Sequence, residues 1–303
     1  MTEPARLDRD QRAPTDVSAA MRLEAFGFRI VAGFARLLPL DVASWLSGWI
    51  WRVIAPWLRR DKRAMQQIAM ALPDISAAER RQIINRMWRN LGRNFGEAFH
   101  LDEIHSDPTR IALRATPETL AELKTLSRLI VVSLHTGNWE VASLAFSKSS
   151  QIPVTGIYQR LKNPLVDVEV VAMRKRFYQL GLFPKGKDAL VKMIRTVKNG
   201  GAAALLADLR DFRGVNVPFF GRPAPTSTIP AIISLSQDAP ILIGRVIRTE
   251  GAHFICEYEL LRFTPTGDRD ADVLALTAQI HAQFEAWIRE YPDQWMWAHR
   301  RWG

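Results

Sequence analysis

The run Leu129-Ile-Val-Val-Ser-Leu134 stops abruptly at His135-Thr-Gly-Asn-Trp-Glu140, and this junction constrains the fold more than any other stretch. A β-branched apolar run bounded by Gly and Asn predicts a buried strand ending in a polar turn. The next segment, Glu140-Val-Ala-Ser-Leu-Ala-Phe146, has the composition of a helix. A histidine therefore stands at a strand exit, with a carboxylate about one helical turn further on. The backbone N–H groups of Thr136, Gly137 and Asn138 crowd the same place. These are the parts of a base, a group that orients it and an anion-stabilising helix start. A strand-end histidine is often only a cap or surface residue. The apolar strand, the Gly-Asn turn and the tryptophan have no joint structural necessity, however, and they favour the functional reading.

Downstream, the pattern alternates. Residues 75–101 read as a helix, 152–158 as a strand and 164–180 as a helix. Residues 188–198 form a helix ended by Asn199-Gly-Gly201, and Ala202-Ala-Ala-Leu-Leu-Ala207 is a short strand ending at Asp208. A helix over 229–237, strands over 240–247 and 253–263, and a long helix over 270–290 complete the series before an aromatic tail. The expectation is an α/β protein whose central, mostly parallel or mixed sheet is flanked by helices, with N-terminal membrane-associated helices. Ligands of such sheets sit at the carboxyl ends of strands, where both His135 and Asp208 fall. Residues 60–303 contain no repeat or low-complexity linker. The predicted division is a disordered lead over 1–19, a membrane-associated helical arm over 20–57 and a catalytic domain over 58–303.

The arm carries its own pattern. Residues 1–19 are polar and lack the apolar core of a signal peptide. Arg22, Arg29 and Arg36 then recur every seven residues among Leu23, Phe26, Phe28, Ile30, Val31, Phe34, Leu37 and Leu38. After a break at Pro39 and Asp41 come Trp45, Trp49, Trp51 and Trp57 with Arg52. No stretch supplies the eighteen or so uncharged apolar residues of a spanning helix. The combination suits a membrane interface, where arginine stems snorkel and indoles anchor. The alternative is that these helices pack into the core and leave the arginines outside.

The net charge of +10 favours anionic partners, among them anionic lipid or an acidic protein. Without an RNA-binding aromatic signature, zinc finger or basic heptad, no nucleic-acid partner is expected. The single cysteine, Cys256, rules out a disulfide framework or a multi-cysteine metal site, and its alternating apolar context predicts a buried strand position.

Further signatures stand in a fixed order: Tyr158 with Asn163-Pro164, Asp208, Val217-Pro-Phe-Phe-Gly221 with Thr226, and Pro292-Asp-Gln-Trp-Met-Trp-Ala-His-Arg-Arg-Trp302. Together with His135-x-Gly-Asn-Trp-Glu140 this set resembles the lipid A biosynthesis (lauroyl/myristoyl) acyltransferase family, within the glycerolipid acyltransferase-like group, over most of residues 20–303. The resemblance implies transfer of a fatty acyl group from acyl carrier protein to a hydroxyl of a lipid A precursor. The setting it implies is the cytoplasmic face of the bacterial inner membrane. It implies no metal and no bound cofactor. Acyl-CoA stays open as the donor, and the anionic glycolipid acceptor and the membrane surface are the other expected partners.

The chemistry fits the residues. An alcohol attacks a thioester only when a base takes its proton, and an imidazole, with an ordinary pKa of about 6.5, suits that task. His135 and Glu140 are the candidate catalytic pair, the carboxylate fixing the ring's tautomer as in a hydrolase triad. Substrate-binding candidates are Asn138, Arg160, Asp208, Arg210, Arg222 and Thr226. Arg210, Arg213 and Arg222 have the guanidinium geometry to clamp a phosphate, and Asp208 either orients substrate or a basic neighbour at its strand end or caps a helix or turn. Trp295, Trp297 and Trp302 read as core closure, the alternative being a lipid-facing edge with Arg300 and Arg301. His100, His105, His253 and His281 read as structural. His299 lies in the tail signature but is not the expected base.

Two departures concern the acceptor. The family often has Tyr-Arg before Asn-Pro, where this chain has Tyr158-Gln159-Arg160, and the frequent Asp-Gln pair is Asp208-Leu209 here. The competing functions are acylation of another glycolipid or hydroxylated lipid, and a non-catalytic module that binds membrane or acyl carrier. A thioesterase is disfavoured because no serine elbow or paired nucleophile is present.

Overall fold

Alternation of apolar strands with amphipathic helices produces a sheet covered on both faces. The computed structural model describes residues 17–302, without the side chain of Lys187, so most of the expected 1–19 lead lies outside the described residues. The strands are β1 (Ile111–Arg114), β2 (Leu129–Ser133), β3 (Val154–Tyr158), β4 (Leu182–Pro184), β5 (Ala202–Leu206), β6 (Arg210–Phe219), β7 (Arg222–Thr226), β8 (Ile241–Arg248) and β9 (Phe254–Leu261). Seven form one sheet in the order β1-β9-β8-β2-β5-β3-β4, while β6 and β7 make a separate antiparallel hairpin. Every pairing in the large sheet is parallel except β8 with β9. The mixed α/β expectation therefore holds.

The helices are α1 (Ala19–Leu37), α2 (Leu40–Ile54), α3 (Arg59–Ala71), α4 (Ala77–Glu97), α5 (Leu101–Ser106), α6 (Pro117–Thr125), α7 (Glu140–Ser149), α8 (Pro164–Lys175), α9 (Lys187–Lys198), α10 (Ile229–Gln237) and α11 (Arg269–Glu290). The period-2 geometry of β2 divides its side chains between two cores. Ile130 and Val132 join residues of α3, α4, α9, α10 and α11 on one face. Leu129 and Val131 join those of α5, α6 and α7 on the other. β2 is consequently buried at all five positions. β9 alternates buried and half-buried positions, as its sequence predicts, and Cys256 lies on the buried side. Burial pushes the Cys256 thiol up to about 12, which keeps it protonated and unreactive.

Several elements depart from the sequence reading. The helix expected over 75–101 ends at Glu97, and the one expected over 164–180 ends at Lys175, before the short β4. The β6–β7 hairpin went unread because Pro218, Pro223 and Pro225 interrupt its strand signal. Proline is tolerated there because the hairpin has free edges.

The N-terminal helices attach in different ways. α2 lies against α4 at backbone contact: a side chain at Gly92 would come within 2.5 Å of Trp51 Cβ, and one at Gly96 within 2.6 Å of the Ala43 carbonyl. Only glycine permits so close a crossing. α1 buries just Ala25 and Ala32. It is tied down by Asn163, whose Nδ2 donates to the Met21 carbonyl (2.8 Å) and Glu24 (3.0 Å), and by the Arg29–Glu169 ion pair. Leu23, Phe26, Ile30, Phe34 and Leu37 of α1 and Trp45, Trp49, Val53 and Trp57 beyond it remain exposed, Leu37 by 83% and Trp57 by 87%. No helix among the described residues is long and apolar enough to cross a membrane.

A buried ion pair joins these layers to the His135 turn. Glu97, fully buried at the end of α4, accepts from Arg248 Nη1 (2.5 Å) and Nη2 (2.8 Å), Ser44 Oγ (2.6 Å) and Asn138 Nδ2 (2.8 Å). Arg248 also donates to Asn90 Oδ1 and Asn94 Oδ1, both at 2.6 Å. The amides of those two asparagines in turn donate to the Gly137 carbonyl at 3.0 and 2.6 Å. Removing one partner of such a pair leaves a buried charge unmatched and costs about 3–5 kcal/mol. Glu97→Gln should lower the melting temperature sharply by calorimetry, and a wild-type melting curve would show the pair to be dispensable.

His281 is fully enclosed, with Nδ1 at 3.0 Å from the Thr277 carbonyl and Nε2 at 3.2 Å from that of Ala207. Burial, reinforced by Arg301, lowers its pKa to about 4. The unfolded chain therefore binds a proton that the folded one refuses between the ordinary imidazole pKa of about 6.5 and that value. Stability should be unaffected by this group above pH ~6.5 and fall by up to about 3 kcal/mol as the pH drops towards 4. Denaturant titrations of wild type and His281→Gln across that window should show a shallower acid loss in the variant. Parallel pH curves would remove His281 as the cause.

Candidate active site

In the parallel register of β2 with β5, Ser133 is opposite Leu206. His135 and Asp208 each lie two residues beyond those positions, and the Ala207 N–H donates to the Ser133 carbonyl (2.9 Å), carrying the alignment past the strand ends. Neighbouring strands thus deliver a histidine and an aspartate side by side at the carboxyl edge of the sheet. His135 Nδ1 is 2.7 Å from Asp208 Oδ1, and the His135 backbone N–H donates to Oδ2 at 3.0 Å. Trp295 Nε1 donates to the same Oδ2 at 2.8 Å.

Asp208 is completely buried. Burial alone would raise its pKa, but His135 and the surrounding donors outweigh burial and hold the carboxyl well below the usual range. An ionised carboxylate only accepts, so the neutral ring carries its proton on Nδ1 and presents Nε2 as an acceptor. This is the orientation a general base requires.

The structure changes the role expected for Glu140. Its carboxylate accepts from Arg174 Nη2 (2.6 Å) and Trp139 Nε1 (3.1 Å), and its backbone N–H donates to Asn138 Oδ1 (3.2 Å). The physical reason is positional: Glu140 opens α7 beside Arg174 of α8, whereas Asp208 already occupies the Nδ1 side of His135. Glu140 reaches the histidine indirectly, through Trp139, whose ring stands edge-on to His135 at 5.0 Å.

The turn between them is held by packing. Gly137 has φ +53°, and a Cβ there would lie 2.4 Å from the Val246 carbonyl oxygen. Both the left-handed backbone and the close approach to β8 require glycine. The expected anion-stabilising trio is largely spent, because Thr136 N–H donates to Leu134 O (2.9 Å) and Gly137 N–H to Gln294 O (3.2 Å). Asn138, expected to bind substrate, is fully buried between Glu97 and the Glu140 N–H, so it braces the turn.

The remaining candidates divide. Arg160 follows β3 at the same sheet edge, is exposed, and hydrogen-bonds the Tyr158 phenol, which also donates to Asp167 (3.0 Å). Arg210 begins β6, directly after the aspartate's loop, with its guanidinium 4.2 Å over Phe212. Partial burial, then Arg300 and Arg63, lower its pKa, so these three arginines share one region. Arg222 is exposed and donates to the Met70 carbonyl (3.0 Å), fastening the hairpin to α3. Thr226 is fully buried, accepting from Arg301 Nη2 (2.6 Å) and donating to Ala224 O (2.8 Å). It is therefore an internal brace between the tail and the hairpin.

The tail closes the core, as expected: Trp295, Trp297, Trp302 and Arg301 are all buried. The contact of Trp295 with Asp208 has no local sequence signal beyond the fact that a buried indole N–H usually finds an acceptor. Among the described residues, no group of three or more His, Cys, Asp and Glu is arranged to hold a metal ion.

A histidine oriented by a buried carboxylate can take a proton from a hydroxyl as it attacks an acyl carbon. Comparison with curated proteins gives no match. The family model described as bacterial lipid A biosynthesis acyltransferase matches residues 19–303, nearly the whole chain, with the His135–Asp208 edge and the tryptophan tail inside it, and the chain belongs to that family.

Proposed function

We propose that the protein transfers a fatty acyl group from a thioester donor to a hydroxyl of a lipid A precursor, with His135 as general base and Asp208 as the carboxylate that orients it. Family membership indicates lipid A acyltransferase activity in general terms. The observation that carries the finer reading is the 2.7 Å contact between His135 Nδ1 and a fully buried aspartate at the carboxyl edge of the sheet. His135 Nε2 accepts the hydroxyl proton as oxygen attacks the thioester carbonyl, and the resulting imidazolium is balanced by Asp208. When the tetrahedral intermediate collapses, the same proton passes to the departing sulfur. Glu140, itself fixed by Arg174, serves the site by holding Trp139 edge-on to the base.

The donor is an acyl carrier protein, whose acidic surface complements a chain of net charge +10, with acyl-CoA as the comparison. Arg210 and its neighbours Arg63 and Arg300 supply positive charge for an anionic glycolipid acceptor. The exposed apolar faces of α1 and α2 rest in the interfacial zone of the bacterial inner membrane on its cytoplasmic side. An unpartnered apolar patch of this extent, bordered by arginines, is what lipid contact requires.

Acyl transfer followed by mass spectrometry of the lipid product tests the chemistry. His135→Ala and Asp208→Asn should each lower kcat by roughly 10² to 10⁴, whereas Glu140→Gln should lose at most about tenfold. Full loss in Glu140→Gln with near-normal Asp208→Asn would return the orienting role to Glu140. Product mass also separates lipid A precursor from another hydroxylated lipid. Absence of product from wild type with every acceptor favours a binding module.

Vesicle sedimentation tests the membrane face. Replacing Phe26, Phe34, Trp45 and Trp49 with serine removes side chains worth about 1.5–3 kcal/mol each when buried. Binding to anionic-lipid vesicles should fall at least tenfold while the melting temperature is retained. Unchanged sedimentation would reject this surface as the anchor.

A further inference from the structure

His299 stands beside the base in a position that its neighbours fix. The tail segment is stitched to the His135 turn by its backbone: Met296 N–H donates to His135 O (3.2 Å), Gln294 O accepts from Gly137 N–H (3.2 Å), and Thr136 bridges Trp295. The His299 N–H then donates to Met296 O (3.3 Å). Trp297 and Ala298 before it and Arg301 and Trp302 after it are buried, whereas His299 itself is exposed. The chain is therefore pinned on both sides of a polar ring that contributes nothing to the core.

The rings of His135 and His299 have centroids 6.4 Å apart and planes inclined by 32°. Neither His299 ring nitrogen has a hydrogen-bond partner among the described residues, and His135 uses only Nδ1. A centroid separation of 6.4 Å leaves room for one oxygen within ordinary hydrogen-bond distance, about 2.8 Å, of a nitrogen of each ring. An alcohol oxygen in that space would donate to one imidazole and accept from the other.

We propose that His299 is a second catalytic histidine, whose ring N–H donates to the oxygen of the acceptor hydroxyl while His135 Nε2 removes that oxygen's proton. The inference rests on the acyl-transfer reading and adds the group that holds the nucleophile. As the oxygen–carbon bond forms, the carbonyl π pair moves to its oxygen and the hydroxyl proton moves to His135. On collapse the carbonyl re-forms, the carbon–sulfur pair leaves on sulfur, and His135 returns the proton to it. His299 keeps its own proton throughout. Partial desolvation, together with His135 and the nearby Arg60 and Arg63, lowers its pKa against the opposing pull of Asp208. These effects favour the neutral ring beside a base that becomes charged. Pinning the acceptor oxygen also favours transfer over attack by water, which lacks the lipid's other contacts.

The test uses the full chain with acyl carrier protein thioester and lipid A precursor, measuring transferred product and free fatty acid together. His299→Ala should lower kcat for transfer by roughly 10- to 100-fold, leave KM for the thioester unchanged and raise the share of free fatty acid. His299→Gln or His299→Asn, which restore an N–H donor, should recover part of the rate. Wild-type kcat in His299→Ala overturns the proposal. Equal loss in all three variants accompanied by a lowered melting temperature also overturns it, by assigning His299 a structural role. A wild-type protein that acylates no hydroxylated lipid overturns the acyl-transfer reading and this inference with it, whereas an active wild type with an indifferent His299→Ala overturns this inference alone.

Discussion

The Glu97–Arg248 ion pair is the interaction on which the rest of the architecture depends. It brings together the end of α4, the last residue of β8, Ser44 of α2 and Asn138 of the His135 turn. Desolvating two charges is expensive, and only saturation with hydrogen bonds makes the arrangement tolerable. Here the carboxylate takes four donors, and the guanidinium reaches two asparagines and the Gly251 carbonyl besides Glu97. An apolar substitute of equal volume could fill the space, but it could not dictate where the Gly137 carbonyl and the Asn138 amide must point. The pair thus sets the path of the turn, and the turn sets the position of His135.

Much of this was legible along the chain because it is local. The strand exit at His135, the alternating β9 and the stop at Asn199-Gly-Gly201 all follow from short-range periodicity and turn chemistry. The identity of the carboxylate behind His135 is not local. Glu140 has the suggestive spacing, but spacing describes a helix face, whereas the partner of a strand-end residue comes from the adjacent strand. Asp208 reads from the sequence as a group that orients substrate or a basic neighbour at this edge, and the neighbour it holds is His135. Asn138 and Thr226 make a related point: a polar residue in a signature reads as a ligand contact, whereas its burial and its bracing partners appear only in three dimensions.

The two N-terminal helices illustrate how one composition can serve two ends. Both carry large apolar residues and arginines, yet α2 sets Ala43 and Ser47 against Gly92 and Gly96 of α4, with Gly48 against Arg89 and Arg93, and becomes part of the body. α1 has only two buried alanines, and its tryptophan-free apolar stripe faces outward alongside that of α2. The sequence pattern identified the apolar surface but not which residues would be withdrawn from it, because small residues at a helix crossing carry little hydrophobic signal of their own.

Asp208 receives its donors from opposite directions in the chain, His135 lying 73 residues before it and Trp295 87 residues after it. Contacts so remote bear the entropy of closing long loops and form only once the intervening strands have docked. A chain still emerging from the ribosome, or one folded no further than β5, holds the imidazole and the aspartate but has no tail to cover the carboxylate. The cover over the carboxylate is therefore added late, and the His135–Asp208 pair reaches its fully buried setting only once the tail has docked.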